Sequence, residues 1–205
     1  KIKLYFCQII NHTYCITYKG YLSMKTTLDF LLDGAQVRRF HTRATVATET
    51  VGHHSHGVAT IALLLDPDAS RDLIIAALYH DLSEHVTGDI PSPMKREYGI
   101  SAQISDIEEK LMLQAGITFP TLSEKDQRTL KLADIAHGAI FCCQELELGN
   151  LKMRNILDTY LSYAHDKVLV GREQQLFSLI EEMSDDVDQQ ELLNLLEDMI
   201  NDREQ

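Results

Sequence analysis

Three histidines lie close together in HHSHGVATIALLL, residues 53–65, directly before and within an apolar run. His54 falls on one helical face with four apolar residues, because their positions follow one another at intervals of three and four. These residues are Val51, Val58, Ile61 and Leu65. His53 and His56 fall on other faces. The spacing therefore predicts that His54 alone of the three histidines points into the core.

Three further candidate metal ligands follow downstream. His80 and Asp81 are adjacent near the end of a predicted helix whose inner face includes His80, and Asp134 lies among apolar and small residues in LKLADIAHGAIF. A buried carboxylate without a partner is costly, so Asp134 needs a cation nearby. Two imidazoles and two carboxylates suit Zn, Mn, Fe, Co or Ni better than Ca, and the set does not rank these metals.

Two acidic residues that could act on a substrate come after His80 and Asp81 in the sequence. Glu84 is four residues after His80 and three after Asp81, hence on the same side of that helix. It could act as a general acid and base or hold the attacking water. Asp89, in the TGDIP loop, could be a second acid near the site. A metal held here would lower the pKa of a water and polarise a phosphoryl oxygen.

The charge of the chain limits the partners that it can bind. The formal net charge is −12 at pH 7, which opposes binding of polymeric nucleic acid and of anionic membrane surfaces. An anionic small substrate remains compatible with a local basic pocket or a metal. Arg38, Arg39 and Lys95 are the nearby basic candidates for a phosphate group.

Each of these residues also has a purely structural explanation. A lone histidine on an apolar face is more often a packed core residue than a ligand. Asp134 could form a salt bridge, Glu84 could be solvated, and a His-Asp dipeptide is common by chance. The ordered set favours a metal site, because His54, His80-Asp81 and Asp134 each fall on a predicted helix.

Helices must position these residues. Helical patterns are predicted for 49–65, for 71–85 without a break, for 101–115, from a cap at Thr121 or Ser123 to Gly149, for 151–182 and for 188–201. Thr27 could cap a short helix that ends near Gly34. Gly, Ser and two prolines in TGDIPSPMKREYG predict a loop. The fold class is therefore all-α, a helical bundle.

The first 23 residues differ from the rest, since the first acidic residue is Asp29 and Met24 resembles a natural start. We expect an atypical N-terminal extension over 1–23, with strands or an added arm, and a helical bundle over 24–205. Cys7, Cys15, Cys142 and Cys143 form no C-x-x-C spacing, which predicts reduced thiols rather than a zinc or redox site. No apolar run reaches membrane-span length and no secretory signal is evident, so we expect a cytoplasmic protein.

The order H…HD…D resembles the HD-domain metal-dependent phosphohydrolases. The flanks TETVGHHSHGVA, ALYHDLSEHVTGDIPSPMK and LADIAHGAIF resemble the 5′-deoxynucleotidase branch, and the stretch from LLDGAQVRRFHT to LLDPDASRDLIIAALYHDLSEH most resembles the phage dATP triphosphohydrolases of the DatZ type. The resemblance extends from Met24 to the helix after Asp134. It implies an HD-domain bundle with a metal site in its core and a homo-oligomer, either a dimer or a hexamer.

The resemblance also implies roles for individual residues. His54, His80, Asp81 and Asp134 match the family's metal ligands, and Glu84 matches its catalytic carboxylate. Asp89 matches a second acid, for sugar recognition or further metal binding. Arg39 and Lys95 match phosphate-binding positions, and Phe40 replaces a tryptophan of the base pocket. His53 stands where the family usually has glutamate, and His137, one turn after Asp134, could line the site.

The implied cofactor is a divalent transition metal, Zn, Co or Mn, with Mg as a possible second ion. The first expected reaction is hydrolysis of dATP to deoxyadenosine and triphosphate. The alternative is a 5′-deoxynucleotidase that converts dAMP or another deoxynucleoside monophosphate to the deoxynucleoside and phosphate. A more distant alternative is a nucleotide sensor without activity. If the gene belongs to a phage, the enzyme would act in the host cytoplasm.

Overall fold

The structure of the chain, a computed structural model, describes residues 5–9, 12–16, 27–167, 175 and 178–180. Residues 27–167 are mainly helical, which confirms the all-α prediction. The helices in chain order are α1 (Thr27–Gly34), α2 (Val51–Leu65), α3 (Arg71–Tyr79), α4 (Glu84–Thr87), α5 (Ser92–Glu97), α6 (Ser101–Gln114), α7 (Glu124–Glu147), a 3-10 turn (Leu151–Met153) and α8 (Arg154–Lys167). Within the described residues, none of these helices has the length and apolar character to cross a bilayer.

The N-terminal segment contains a two-stranded antiparallel hairpin. β1 (Tyr5–Ile9) pairs with β2 (His12–Ile16). The strands predicted for this segment are therefore confirmed.

Helices α2 and α7 pack against each other at the centre, and α3 and α8 pack on them. The core between them contains Val58, Ala62, Leu132, Ala136 and Ala139, all fully buried. A second apolar cluster joins α1 and α6 through residues that include Phe30 and Met112. Most of the polar site lies where α2 and α7 meet the segment that follows α3.

The helix predicted without a break for 71–85 is interrupted. After Tyr79 the backbone hydrogen bonds change from an interval of four residues to an interval of three, as from Leu82 N–H to Tyr79 O and from Glu84 N–H to Asp81 O. The tighter turns join α3 to the single-turn helix α4. The prediction was wrong here because local helix propensity does not register a change from α-type to 3-10-type hydrogen bonding.

The loop predicted for TGDIPSPMKREYG contains α5. Pro91 directly precedes this helix and Pro93 lies in its first turn, where the backbone N–H has no partner within a helix. Proline therefore begins this helix instead of preventing it, and Lys95 is a helical residue.

Side chains and a glycine mark several helix ends, among them the predicted cap Ser123 and the predicted stop near Gly149. The Thr50 and Ser123 side chains accept hydrogen bonds from the backbone N–H of His53 and Asp126. Gly149 follows α7 with φ 86°, a conformation that favours glycine. Thr27 is the first residue of α1 rather than its cap, and its hydroxyl donates to Ala115 O at 2.7 Å.

The two C-terminal helices were predicted for 151–182 and 188–201. The first is described from the 3-10 turn to the end of α8, with helical residues again at 175 and 178–180. The second lies outside the described residues. Cys142 and Cys143 are buried free thiols, as expected, while the side chains of Cys7 and Cys15 are outside the described part.

Candidate metal centre and active site

The four predicted ligands lie close together, and His54 contacts each of the other three. His54 Nε2 lies 3.1 Å from Asp134 Oδ1 and 3.3 Å from His80 Nε2. Asp81 Oδ2 lies 3.8 Å from His54 Nε2 and 3.3 Å from His80 Nε2. Ligand atoms of His54, His80 and Asp81 thus lie within 4.8 Å of one another, and Asp134 joins this group through its contact with His54.

The fold explains this convergence. His54 is fully buried on the inner face of α2, as the spacing predicted, whereas His53 and His56 are exposed. Asp134 comes from α7, which packs against α2, and His80 and Asp81 come from the tight turn after α3. Three separate segments therefore supply the four side chains.

The outward-facing atoms of these side chains have other partners. His80 Nδ1–H can donate to Ala77 O at 2.9 Å, which leaves Nε2 as an acceptor that faces the other three. Lys131 Nζ donates to Asp134 Oδ2 at 2.8 Å, which leaves Oδ1 on the inner side. The surroundings thus orient ligand atoms toward the common point.

The protonation states suit a cation. Burial, followed by the charge of Arg39, lowers the pKa of His54 to about 4, so the ring is neutral at pH 7. Burial would raise the pKa of Asp134, but Lys131 and the hydrogen bond with His54 lower it well below its ordinary value. The pKa of Asp81 is also lowered, because the charges of His80 and Arg39 outweigh burial. Neutral imidazole and ionised carboxylate are the forms that bind metal.

Glu84 supplies a buried oxygen beside this cluster. The residue is 5% exposed, and its Oε2 has no hydrogen-bond partner in the described part of the chain. Burial, followed by the negative charges of Asp81 and Asp89, raises the pKa of Glu84 to about 9. The orphaned oxygen and the mixed donor set both fit a divalent transition metal with a water or substrate nearby.

A cavity of about 660 Å³ opens beside the cluster. Its lining includes eight predicted site residues, namely Arg39, Phe40, His80, Asp81, Glu84, Asp89, Lys95 and Asp134, but not the buried His54. Arg38 is not part of this lining; it is exposed, and its Nη2 donates to Thr45 Oγ1 at 3.2 Å. Of the two adjacent arginines, only Arg39 faces the site.

Arg39 contacts two carboxylates. Its Nη1 donates to Asp81 Oδ2 at 2.8 Å and its Nε donates to Glu49 Oε2 at 3.1 Å. Although burial lowers the pKa of Arg39, the nearby carboxyl groups of Asp81 and Glu49 raise it above its ordinary value. The guanidinium therefore stays charged, and its two hydrogen bonds connect Asp81 to Glu49 in the segment before α2.

Phe40 and Lys95 lie on the cavity wall. Phe40 has φ 52°, stacks on Phe141 at 5.0 Å between ring centroids, and donates its backbone N–H to Asp89 Oδ2 at 3.1 Å. Lys95 Nζ lies 3.7 Å from Glu108 Oε1. The strained backbone at Phe40 is held by the aromatic stack and by Asp89.

The sequence did not predict Glu49 or Lys131 at the site. Glu49 is 4% exposed, and its Oε1 lies 3.4 Å from His137 Nδ1. His137, which follows Asp134 by one turn and was predicted as a possible lining residue, is not among the residues that line the cavity. Glu49 was predicted as the first residue of the helix over 49–65, but it precedes the cap of α2, and it is not one of the residues on the apolar face that identified His54.

Comparisons with known proteins agree on one family. Residues 28–166 match the family described as 5′-deoxynucleotidase YfbR-like. The proteins named 5′-deoxynucleotidase YfbR from Salmonella arizonae and Salmonella newport are each 31% identical over 140 residues, which covers 56% of this chain and 69% of the relative. The cyanophage S-2L HD phosphohydrolase DatZ, solved bound to dA and one catalytic Zn²⁺ ion, superposes with a TM-score of 0.54 at 19% identity. That likeness covers 75% of this chain and 93% of the cyanophage chain, and it concerns the fold.

Proposed function

The chain belongs to the YfbR-like family of HD-domain phosphohydrolases, and we propose that it is a metal-dependent 5′-deoxynucleotidase. Its substrates would be deoxynucleoside 5′-monophosphates, and its products the deoxynucleoside and orthophosphate. The observation that carries the proposal is the convergence of His54, His80, Asp81 and Asp134 beside the orphaned oxygen of Glu84. Relatives named for this activity support the substrate class.

We infer that these four residues hold one divalent transition metal ion. Zn, Co and Mn fit this set of imidazole nitrogens and carboxylate oxygens. A second ion, Mg, stays a prediction. When bound, such an ion lowers the pKa of a water molecule and polarises phosphoryl oxygens. The outer contacts from Ala77 and Lys131 hold the ligand atoms toward it.

Glu84 would move the proton during hydrolysis. A water oxygen forms a bond to phosphorus, the bond between phosphorus and O5′ breaks, and a proton must reach O5′ of the departing deoxynucleoside. Glu84 lines the cavity and its carboxyl lacks a competing partner at Oε2. It is therefore suited to exchange a proton with the water or the leaving oxygen, a contribution of about 10²- to 10⁴-fold in rate.

Three other residues would bind the substrate. Lys95 and Arg39 would supply positive charge to the phosphate. Asp89 accepts from Phe40 N–H through Oδ2, so its Oδ1 is the oxygen suited to accept a hydrogen bond from a deoxyribose hydroxyl. Phe40 would form part of the wall beside the base or sugar.

A triphosphate substrate is the second candidate, and the charge of the cavity favours it. Six basic residues line the cavity: Arg39, Arg43, Lys95, Arg96, Lys131 and Lys152. Four acidic residues share the lining, and a metal would offset part of their charge. A surplus of cations in a chain of net charge −12 suits a polyanion such as dATP.

Product analysis distinguishes the two candidates. Metal-loaded protein would be incubated separately with dAMP, AMP and dATP, and the released phosphates identified by ion chromatography. We expect orthophosphate from dAMP, much less from AMP, and no inorganic triphosphate from dATP. Inorganic triphosphate from dATP, with monophosphates left intact, would overturn the proposal in favour of the second candidate.

A matched pair of variants links the activity to the cluster. Asp81→Asn should abolish release of orthophosphate, whereas Asp106→Asn should leave it unchanged, because Asp106 is exposed on α6 and pairs only with Lys110 among the described residues. Full activity in Asp81→Asn would contradict the proposed centre.

A further inference from the structure

His137 is outside the proposed ligand set but contacts one of its members. Its Nδ1 lies 3.1 Å from Nδ1 of His54, and the two rings meet nearly edge-on with centroids 5.0 Å apart. The contact involves the nitrogen of His54 that faces away from Asp134 and His80. His137 therefore stands behind the proposed ligand.

Two facing ring nitrogens need one hydrogen between them. If His54 offers the lone pair of Nε2 to a metal and is neutral, its hydrogen is on Nδ1. That hydrogen can point only toward His137 Nδ1, which must then accept it. With His137 Nδ1 as the acceptor, the pair of rings is compatible with the tautomer of His54 that binds metal.

Glu49 lies beside the ring of His137. Glu49 Oε1 lies 3.4 Å from its Nδ1, and the other oxygen of Glu49 accepts from Arg39 Nε at 3.1 Å. Arg39 in turn donates to Asp81 at 2.8 Å. When His137 Nδ1 accepts from His54 it has no hydrogen for Glu49, so Glu49 lies against this ring without a hydrogen bond to that nitrogen.

Gly57 provides the space for this ring. A Cβ at position 57 would lie 1.9 Å from His137 Cδ2 and 2.1 Å from Nε2. The imidazole packs directly on the bare backbone of α2, one turn after His54. Any side chain at position 57 must displace His137.

We propose that His137 is a positioning residue that fixes the ring orientation and tautomer of His54, and that Gly57 is required because it admits the His137 ring. The inference rests on the proposed function only in taking His54 as a metal ligand. It assigns His137 no contact with the ion or the substrate.

Metal affinity tests the role of His137. The dissociation constant for Co²⁺ would be measured by competition with a chelating dye, together with the visible spectrum of bound Co²⁺. His137→Ala should weaken binding by about 10- to 100-fold. His137→Asn should restore most of the affinity, because the asparagine oxygen can accept a hydrogen bond near the position of Nδ1.

The control is His56→Ala, an exposed histidine on the same helix as His54. It should bind Co²⁺ as the wild type does. Circular dichroism would establish that each variant is folded, so that a loss of affinity is not a loss of structure.

Gly57→Ala provides an independent test. Alanine favours a helix interior over glycine, so helix propensity alone should not harm α2. We expect weaker Co²⁺ binding, because the methyl group displaces His137. The double variant Gly57→Ala, His137→Ala should bind no more weakly than His137→Ala alone, because the clash disappears with the ring.

Three results would overturn the inference. The first is an unchanged Co²⁺ dissociation constant in His137→Ala, and the second is an equal loss in His56→Ala. The third is two Co²⁺ ions per wild-type chain and one in His137→Ala, because His137 would then be a ligand. A wild-type protein that shows the expected Co²⁺ affinities but hydrolyses no deoxynucleotide would instead remove the proposed function and leave this inference intact.

Discussion

Two carboxyl groups three residues apart face the same cavity with opposite tendencies to ionise. The pKa of Glu84 is raised to about 9, mainly by burial, whereas the charges of His80 and Arg39 hold that of Asp81 below its ordinary value. Environments that separate the pKa values of neighbouring acids are typical of catalytic sites. These environments support separate roles, in which Asp81 binds the cation and Glu84 transfers protons.

Glu84→Gln tests these separate roles. The amide keeps the size of the side chain but cannot exchange a proton with the water or the leaving oxygen, so we expect kcat for dAMP to fall by about 10²- to 10⁴-fold. The Co²⁺ dissociation constant should stay the same, because Glu84 is not in the proposed ligand set. Glu97→Gln, at an exposed position on α5, is the control. A Glu84→Gln protein that has lost its metal would contradict the separate roles.

The residues that sequence could predict share one property, a place in a periodic or recognisable segment. His54 follows the apolar stripe of α2, and Asp134 stands out as an acid in an apolar stretch of α7. Glu49 does not stand out in this way, and its hydrogen bond with Arg39, ten residues away, has no local sequence signal. Contacts of this kind arise only when the chain has folded, and no local pattern encodes them.

At the scale of elements, the turn after α3 matters most for the site. A regular helix would separate His80 and Asp81 by about 100° around its axis. The shift to hydrogen bonds at an interval of three residues accompanies an arrangement in which His80, Asp81 and Glu84 all line one cavity. The sequence predicted a continuous helix because the residues of this segment are compatible with one, and packing against other helices decides the break.

The contact between α1 and this turn should be sensitive to the size of residue 34. A Cβ at Gly34 would lie 2.6 Å from the backbone oxygen of Leu82. We expect Gly34→Ala to lower the free energy of unfolding by about 1–3 kcal/mol, because the backbone must move to relieve the overlap. Urea unfolding measures the change. Leu32→Ala, at an exposed position on α1, should change stability much less, and equal effects would contradict the close packing.

Glu145 joins α7 to the loop at residues 44–47. Its oxygens accept from Val46 N–H at 2.8 Å and Ala47 N–H at 2.6 Å, and Asn150 donates at 2.7 Å. Burial would raise the pKa of Glu145, but these hydrogen bonds lower it below its ordinary value of 4.5. The ionised carboxylate therefore stabilises the fold.

A pH series with Glu145→Gln measures this contribution. At pH 7 we expect the variant to unfold about 1–3 kcal/mol more easily, because an amide cannot accept all three hydrogen bonds. A lowered folded-state pKa stabilises above the unfolded value and loses that effect as pH falls through the folded value. The difference from wild type should thus shrink below about pH 4. Glu147→Gln, exposed on the same helix, is the control; a constant difference down to pH 3 would rule out the ionised form as the source.

At the scale of the whole molecule, the candidate centre connects two apolar clusters. Ala77 belongs to the cluster around α2 and α7, and Leu82 belongs to the cluster around α1 and α6. His80 and Asp81 lie between them in the chain. The helical class was predictable because apolar periods extend over most of the described helices, whereas the meeting of these two clusters depends on long-range packing.

The distribution of charge agrees with a small anionic substrate. The chain carries a net charge of −12, yet basic side chains outnumber acidic ones in the lining of the cavity. The net negative charge of the chain repels polymeric nucleic acid at long range. The basic side chains of the cavity attract the phosphate of a nucleotide at short range, which permits a nucleotide to enter.

All of the proposed chemistry depends on one ion at the point where His54, His80, Asp81 and Asp134 meet. The most direct test is an anomalous difference map, recorded at the zinc absorption edge from crystals grown with Zn²⁺. We predict one strong peak about 2.0–2.2 Å from His54 Nε2, His80 Nε2 and an oxygen of each aspartate. A peak held instead by Glu49 and His137, or no peak within this cluster, would contradict the proposed centre.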